Sequence, residues 1–353
     1  MIITFYDKDF NPLQDNASLN VGEWQLVRRA VDFDDFTATC EPFLERINPT
    51  FVIMKDDFGR YKYGAFAGIP ELTDENKTNL QASDLKTIFN NDILIDSSVL
   101  SSTYYYIKDY FIALFEAIKT QVVKDSFNIE LDVSSISNLS TSDLKPSSSL
   151  GVYSIWEDCL VPYLKYYDLY MSTHISVAQK KIVYKIGYAK DKVLPLRLWE
   201  FGIKNYGKYI VSVNECQCIV YNSTNNSKTY GDNYILLSDN SITVTSSRRN
   251  LYPIKRKIIL KETDDSGQVI ILRNQGNVEA LKELVEARYQ EAFTINTSGL
   301  KQYEEADFGI AFNVYTERGV FYKQLPLGQV IESSSNEKQL KVGYKPDDIV
   351  FYL

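Results

Sequence analysis

With 353 residues the chain exceeds the roughly 250–300 at which one hydrophobic core stops growing, so two or more packed units are expected. Its 44% hydrophobic and 24% charged residues argue against a disordered chain, and its 26 Tyr and 18 Phe suit pleated surfaces and interfaces. A net charge of −8 without a long Lys/Arg run argues against tight nucleic-acid binding, which needs clustered cations to replace phosphate counterions.

The chain opens on Met1, Ile2, Ile3, Thr4 and Phe5, then the charged Asp7, Lys8 and Asp9. This is neither a cationic start nor an export-length apolar run, which points to folding in a cytoplasm. No window reaches the about 18 uncharged apolar residues of a membrane-spanning helix. Short β-rich runs follow at Ile2 to Tyr6, Trp24 to Val31, Phe36 to Cys40, Phe51 to Lys55 and Tyr61 to Ile69. Asp7 to Pro12, Asp56 to Arg60 and Gly68 to Pro70 supply the turns. Strands at this spacing favour an antiparallel barrel or sandwich over βαβ units, and only Ser83 to Phe89 reads as a short helix.

Ile107, Phe111, Leu114, Phe115, Ile118 and Val122 then recur at three- and four-residue steps, which predicts a helix from Ser102 to Lys124. After a Ser-rich connection, Ser134 to Ser149, a second amphipathic stretch places Val152, Ile155, Trp156, Cys159 and Leu160 on one side, with Pro162 expected to kink or close it. Asp168 to Ser176 and Lys181 to Tyr188 read as a strand pair covering those helices, ending an α+β unit near residue 190.

From Lys208 the β reading returns. Tyr209, Val211 and Val213 alternate, then Cys216, Cys218 and Val220 in the other register, so a bulge is expected around Glu215. Cys216 and Cys218 share one strand face as packed thiols, and four Cys in this length make no disulfide framework. Tyr234 to Leu237, Ile242 to Thr245 and Ile254 to Lys261 continue the strands, with Lys255, Arg256 and Lys257 read as a solvated strand edge. Asn277 is a plausible cap for a third helix reaching Phe293, followed by strands at Gly309 to Thr316, Val320 to Lys323, Gln329 to Glu332 and Gln339 to Val342.

This order predicts a β-rich α+β chain with two antiparallel β-barrel domains and α+β insert domains. The expected boundaries are an N-terminal β-barrel over 1–98, an α+β insert over 99–190, a second β-barrel from 191–265 and 294–353, and a helical insertion at 266–293.

No catalytic, cofactor-binding or metal site is assigned. The one histidine, His174, lies in a strand-like Thr-His-Ile context, where packing or surface roles outweigh that of a base. His174 and the cysteines show no metal-ligand spacing. No phosphate-cradling glycine loop is present. The carboxylate doublets Asp34/Asp35, Asp56/Asp57, Glu304/Glu305 and Asp347/Asp348 read as solvated loops, because adjacent strand residues point to opposite faces. Tyr104, Tyr105 and Tyr106, and Tyr163, Tyr166, Tyr167 and Tyr170, suit a protein interface better than a ligand groove, since no cationic lane accompanies them.

The opening Ile2-Ile3-Thr4-Phe5-Tyr6-Asp7-Lys8-Asp9-Phe10-Asn11-Pro12-Leu13, the strand Trp24 to Val31 with its basic pair, and Phe36 to Thr39 resemble the start of siphophage tail-associated (Tal) baseplate hub proteins. Phe51 to Lys55, Gly64 to Ile69 and Leu85 to Ile95 continue the similarity, and the block order resembles the contractile-phage baseplate hub as well. The resemblance implies a non-enzymatic virion protein at the tail tip, assembled in the bacterial host cytoplasm. It implies a homotrimer whose two barrels per chain match the hexameric distal tail protein, with an opening for the tape measure protein and DNA. Trp24, Arg28 and Arg29 are the expected interface residues. Many relatives carry a lytic or adhesive C-terminal extension, which this chain, stopping at Leu353, is expected to lack. The alternatives are a carboxylate-dependent cell-wall hydrolase and a carbohydrate-binding β protein.

Overall fold

A computed structural model describes residues 1–13, 18–40, 49–68, 71–72, 77–96, 98–100, 104–136, 139, 151–202, 213–222, 225–237, 241–244, 256–262, 276–288, 292–297, 300–317, 319–335 and 337–343. The first unit contains β1 (Ile2–Tyr6), β2 (Ser18–Arg29), β3 (Asp35–Cys40), β4 (Phe51–Lys55), β5 (Tyr61–Ala67), β6 (Glu71–Leu72) and β7 (Thr78–Asp84). β1 pairs with β4, β4 with β5, β5 with β7, β7 with β3, β3 with β2 and β2 with β1, all antiparallel. Six strands thus return on themselves as a closed barrel, which leaves no open edge among them. Period-two alternation fills it: Phe36, Ala38 and Cys40 of β3 point inward with Ile3, Phe5, Leu26, Val52, Met54 and Leu80, while Asp35 and Thr37 face out.

β7 runs into a 3₁₀ turn (Leu85–Phe89) capped by Asp84. Then come β8 (Asp92–Ile95), α1 (Ile107–Ile118) with a wider π turn to Val123, β9 (Ile129–Asp132) and β10 (Gly151–Ser154). A π turn over Ile155–Leu160 leads into α2 (Val161–Tyr166), β11 (Leu169–Ser176) and β12 (Lys181–Tyr188). β11 and β12 form the expected hairpin, and β9 joins β12 in parallel. α1 buries Ile107, Phe111, Leu114, Phe115 and Ile118 as its periodicity required. The insert sits directly on the barrel. A Cβ added at Gly64 of β5 would come within 2.8 Å of Ile175 of β11, whose N–H donates to the Tyr61 hydroxyl at 3.1 Å.

Three local expectations change here. α1 starts at Ile107, with Tyr106 in extended conformation as its cap, and residues 101–103 lie outside the described residues. Val152 lies on β10, paired with β8 and 63% exposed, instead of on a helix face. Pro162 lies in the first turn of α2, directly after the π turn, where its missing N–H has no intrahelical partner, so of the two expectations, a kink or a close, the structure excludes the close.

The remaining strands divide between two sheets. β13 (Lys192–Arg197) belongs to the second β unit, whereas β14 (Glu215–Asn222), β15 (Ser227–Leu236), β16 (Ile242–Thr243) and β17 (Arg256–Glu262) form a four-stranded sheet in the order β16-β15-β14-β17. α3 (Gly276–Arg288) covers one face of it, with Asn277 inside its first turn instead of at the cap and its end at Arg288 short of Phe293, and a bulge lies between Gln217 and Ile219 instead of around Glu215. Tyr209 and Val211 lie outside the described residues.

β18 (Phe293–Asn296), α4 (Lys301–Glu304), β19 (Ile310–Thr316), β20 (Gly319–Ser333) and β21 (Lys338–Val342) complete the second β unit. Its order is β13-β19-β20-β21-β18 around Leu196, Phe293, Tyr303, Phe312, Val330 and Leu340; among the described residues no ladder joins β13 to β18. The two strands expected at Val320 to Lys323 and Gln329 to Glu332 are one 15-residue strand, β20, bulged between Leu327 and Gln329. Beyond the bulge β20 pairs with β21 on one side and with β2 on the other, from Arg29↔Gln329 to Gln25↔Ser333. That ladder fuses both β units into a 12-stranded sheet.

Candidate functional site

His174 projects from β11 to an exposed position, edge-on to Tyr61 with ring centroids 4.2 Å apart. Among the described residues no nucleophile or carboxylate hydrogen-bonds to it, and partial burial holds its pKa below the usual imidazole value. All four thiols are buried, and burial pushes Cys216 up to about 12, so it stays protonated and inert. Among the described residues no three His, Cys, Asp or Glu side chains gather as metal ligands, and no helix is long and apolar enough to cross a membrane.

The densest charged cluster is closed to solvent. Lys86, 1% exposed in the 3₁₀ turn after β7, donates to Asp34 Oδ1 at 2.7 Å, to the Arg29 carbonyl at 2.9 Å and to the Asp32 carbonyl, with Asp84 Oδ2 at 3.3 Å. Asp34 accepts the Arg29 N–H at 2.7 Å, and Asp84 accepts the N–H groups of Asp34 and Lys86 at 2.7 and 3.1 Å. Burial pushes Asp34 up to about 6 against the attraction of Lys86, while the two carboxylates outweigh burial and hold the Lys86 ammonium above its usual value. This cluster is satisfied internally and has no mouth, so it pins the β2–β3 turn to the start of the insert instead of offering chemistry. Asp34 therefore departs from the solvated-loop expectation for its doublet, whereas Asp35 is exposed and pairs with Arg29 at 2.7 Å. The sequence carried little signal for Lys86, since a lysine in a short amphipathic turn ordinarily faces water.

Of the other doublets, Asp57 is 80% exposed and Glu305 is exposed, whereas the Asp56 carboxylate is 15% exposed and bonded within its own turn, and Asp347 and Asp348 lie outside the described residues. The Tyr104–Tyr106 run leaves Tyr105 73% exposed, but Tyr163 is fully buried and packs on Tyr110.

The three expected interface residues share β2 but not surroundings. Arg28 donates from Nη1 to both carboxylate oxygens of Asp307 at 3.0 Å, and Phe308 lies under its guanidinium. Arg29 binds Asp35 and the Phe33 carbonyl. Trp24 is half-buried against the barrel core at the border of a groove of about 520 Å³ flanked by Glu23, Gln25, Thr37, Asn79 and Gln81. That groove offers amides, hydroxyls and one carboxylate, with neither a base–nucleophile pair nor a cation.

Two exposed apolar features stand apart. At the β4–β5 turn, Asp56 accepts the N–H groups of Phe58 and Arg60 at 2.9 and 2.8 Å and the Arg60 Nε–H at 2.6 Å, which holds Phe58 out at 84% exposure. On the four-stranded sheet, Cys216 and Cys218 face α3, so the opposite face carries the rung Ile219, Tyr230 and Leu260, with Ile258 beside it. Tyr230, Ile258 and Leu260 are 62%, 53% and 60% exposed.

No protein-family model matches the chain, and no curated protein matches it in sequence. Solved structures do resemble it. The 43 kDa tail protein of prophage MuSo2 from Shewanella oneidensis aligns over 98% of this chain and 99% of its own, with a TM-score of 0.52 at 10% identity. Prophage tail protein gp18 from Listeria monocytogenes EGD-e aligns over 99% and 96%, with a TM-score of 0.51 at 8% identity. At such identities the likeness is one of fold, and it runs end to end in both. The chain thus shares the β-rich α+β fold of two prophage tail proteins along essentially its whole length.

Proposed function

We propose that this chain is a non-enzymatic structural protein of a phage or prophage tail, namely the hub at the tail tip. In this reading it forms a homotrimer beneath the hexameric distal tail protein, assembled in the host cytoplasm and carried on the virion, with an opening for the tape measure protein and DNA. The observation that carries it is the end-to-end likeness to two prophage tail proteins, which takes in both β units and both inserts together. Two β units per chain give a trimer six of them, the number a hexameric ring above presents. A net charge of −8 favours passage of DNA over its retention.

The units of this reading are the barrel over 1–98, the insert over 99–190 and the second β unit from 191 to 353 with its insertion. The strand division favours enlarging that insertion to take in β14–β17 along with α3. The barrel surface near Trp24 is the proposed ring contact, with Arg28 and Arg29 shaping it through their internal ion pairs. Light scattering and negative-stain class averages of the purified protein test the reading. The expected result is a species of three times the 40.5 kDa chain mass with a threefold ring. A monomer at every concentration, or clearing of cell-wall suspensions by the pure protein, would overturn it.

A further inference from the structure

Tyr63 lies inside the first barrel, 4% exposed, with its ring centroid 5.8 Å from that of Phe36. Its hydroxyl is sealed from solvent and has no hydrogen-bond partner among the described residues. Two residues further along the same inward face of β5, Ala65 pairs with Asp84 at the end of β7, while Asp35 of β3 pairs with Ser83. Asp34 and Asp84 therefore reach the same end of the barrel as Tyr63. The hydroxyl faces both carboxylates across a gap that no direct hydrogen bond spans. Burial first, and then the charges of Asp34 and Asp84, hold its pKa well above the usual phenol value, so it keeps its proton and remains a donor.

The carboxylates can accept more than they receive from the protein. Asp34 Oδ1 takes the Arg29 N–H and the Lys86 ammonium, Asp84 Oδ2 takes the Asp34 N–H, and Asp84 Oδ1 takes the Lys86 N–H. None of these bonds ends on Asp34 Oδ2, and each carboxylate oxygen has two lone pairs. Lys86 has no further donor to give, because its three ammonium hydrogens go to Asp34 and to the Arg29 and Asp32 carbonyls. One cation between two buried carboxylates leaves a net negative charge, which a further donor would stabilise. A metal cation would crowd the ammonium, and an anion would crowd the carboxylates. That leaves a small neutral molecule able to accept once and donate twice.

We propose that one buried water molecule joins Tyr63 to the aspartate pair. It accepts the hydrogen bond of the Tyr63 hydroxyl and donates one hydrogen to Asp34 Oδ2 and the other to the Asp84 carboxylate. Three partners are the usual complement of a structural water, and a buried hydroxyl left idle is costly. The water extends the Lys86 cluster from the β2–β3 turn and the 3₁₀ turn to β5, at the place where the barrel hands over to the insert.

A crystal structure of the full chain at a resolution that shows ordered water tests the site directly. The expected result is density for one water within hydrogen-bonding distance of Tyr63 Oη and of both carboxylates. A hydroxyl bonded directly to either carboxylate, or no density between them, would overturn the proposal. Tyr63→Phe removes only the hydroxyl and keeps the ring, so it supplies a measure in solution. Its urea midpoint should fall below that of the wild type, and the Asp34 and Lys86 amides should exchange roughly tenfold faster, as for one lost hydrogen bond, with the β11–β12 amides unchanged. A midpoint at or above that of the wild type, or unchanged exchange at both amides, would show that the hydroxyl anchors nothing and would also overturn it.

Discussion

Two turns of the first barrel have the same build and opposite outcomes. In Asp7–Asn11 and Asp56–Arg60 alike, the first residue donates its N–H to the carbonyl of the fifth, and its carboxylate accepts the N–H groups of the third and fifth. The fourth residue takes a left-handed φ in each, +61° at Phe10 and +78° at Gly59. The phenylalanine differs by one place. Phe10, at the fourth position, folds inward and stacks on Phe51 with ring centroids 4.7 Å apart, whereas Phe58, at the third, stands in water. A one-position shift within a rigid turn thus turns a core residue into a displayed one, because the turn aims each position in a set direction.

Phe10→Ala should break the comparison most severely. It removes a ring 3% exposed and leaves a hole beside Phe51, so chemical denaturation should report a loss of about 3–5 kcal/mol. Lys86→Met marks the other extreme of aspartate use on this barrel. It leaves Asp34 and Asp84 buried without their cation, and a loss of about 3–5 kcal/mol is expected in the same assay. Gly59→Ala should cost about 1 kcal/mol, since the left-handed φ disfavours any Cβ although space is open. Phe58→Ser should leave unfolding within about 0.5 kcal/mol of wild type, because an exposed ring contributes little to the isolated fold; a larger loss would show that the ring packs within its own chain.

Acid sharpens the contrast among the aspartates. Hydrogen bonds hold Asp7 and Asp56 below the usual carboxylate value, so their contributions are present above pH about 4 and lost as pH falls further. Asp34 has the opposite sign. Raised from 3.8 to about 6, its native state binds the proton more tightly than the unfolded chain, so its contribution is full below about pH 4 and lost as pH rises through about 6. Between pH 6 and 4 the stability of wild type should therefore rise relative to Asp34→Asn, as measured by urea midpoints of both proteins. A flat difference would show that Asp34 titrates as an ordinary surface carboxylate.

Where periodicity was strong the chain was legible: the buried face of α1, the β11–β12 hairpin and the inward residues of β3 follow from spacing alone. The short strands β9 and β10 escaped notice, since four residues are too few to carry a period and the Ser-rich segment between them reads as loop. The buried role of Asp34 and Lys86 was equally silent, because it depends on residues 52 apart meeting beneath the barrel.

Sequence by itself determined the type of the long periodic elements, the β-helix-β order, the absence of nucleotide and metal motifs, and the aspartate turns, all of which depend on neighbours a few residues apart. Only the tertiary structure decided that six strands close into a ring, that β20 bonds to β2 across the chain, and that β13 parts company with β14. Pairing partners and register are set by which distant faces bury one another, and the local alternation of a strand is the same whichever neighbour it finds.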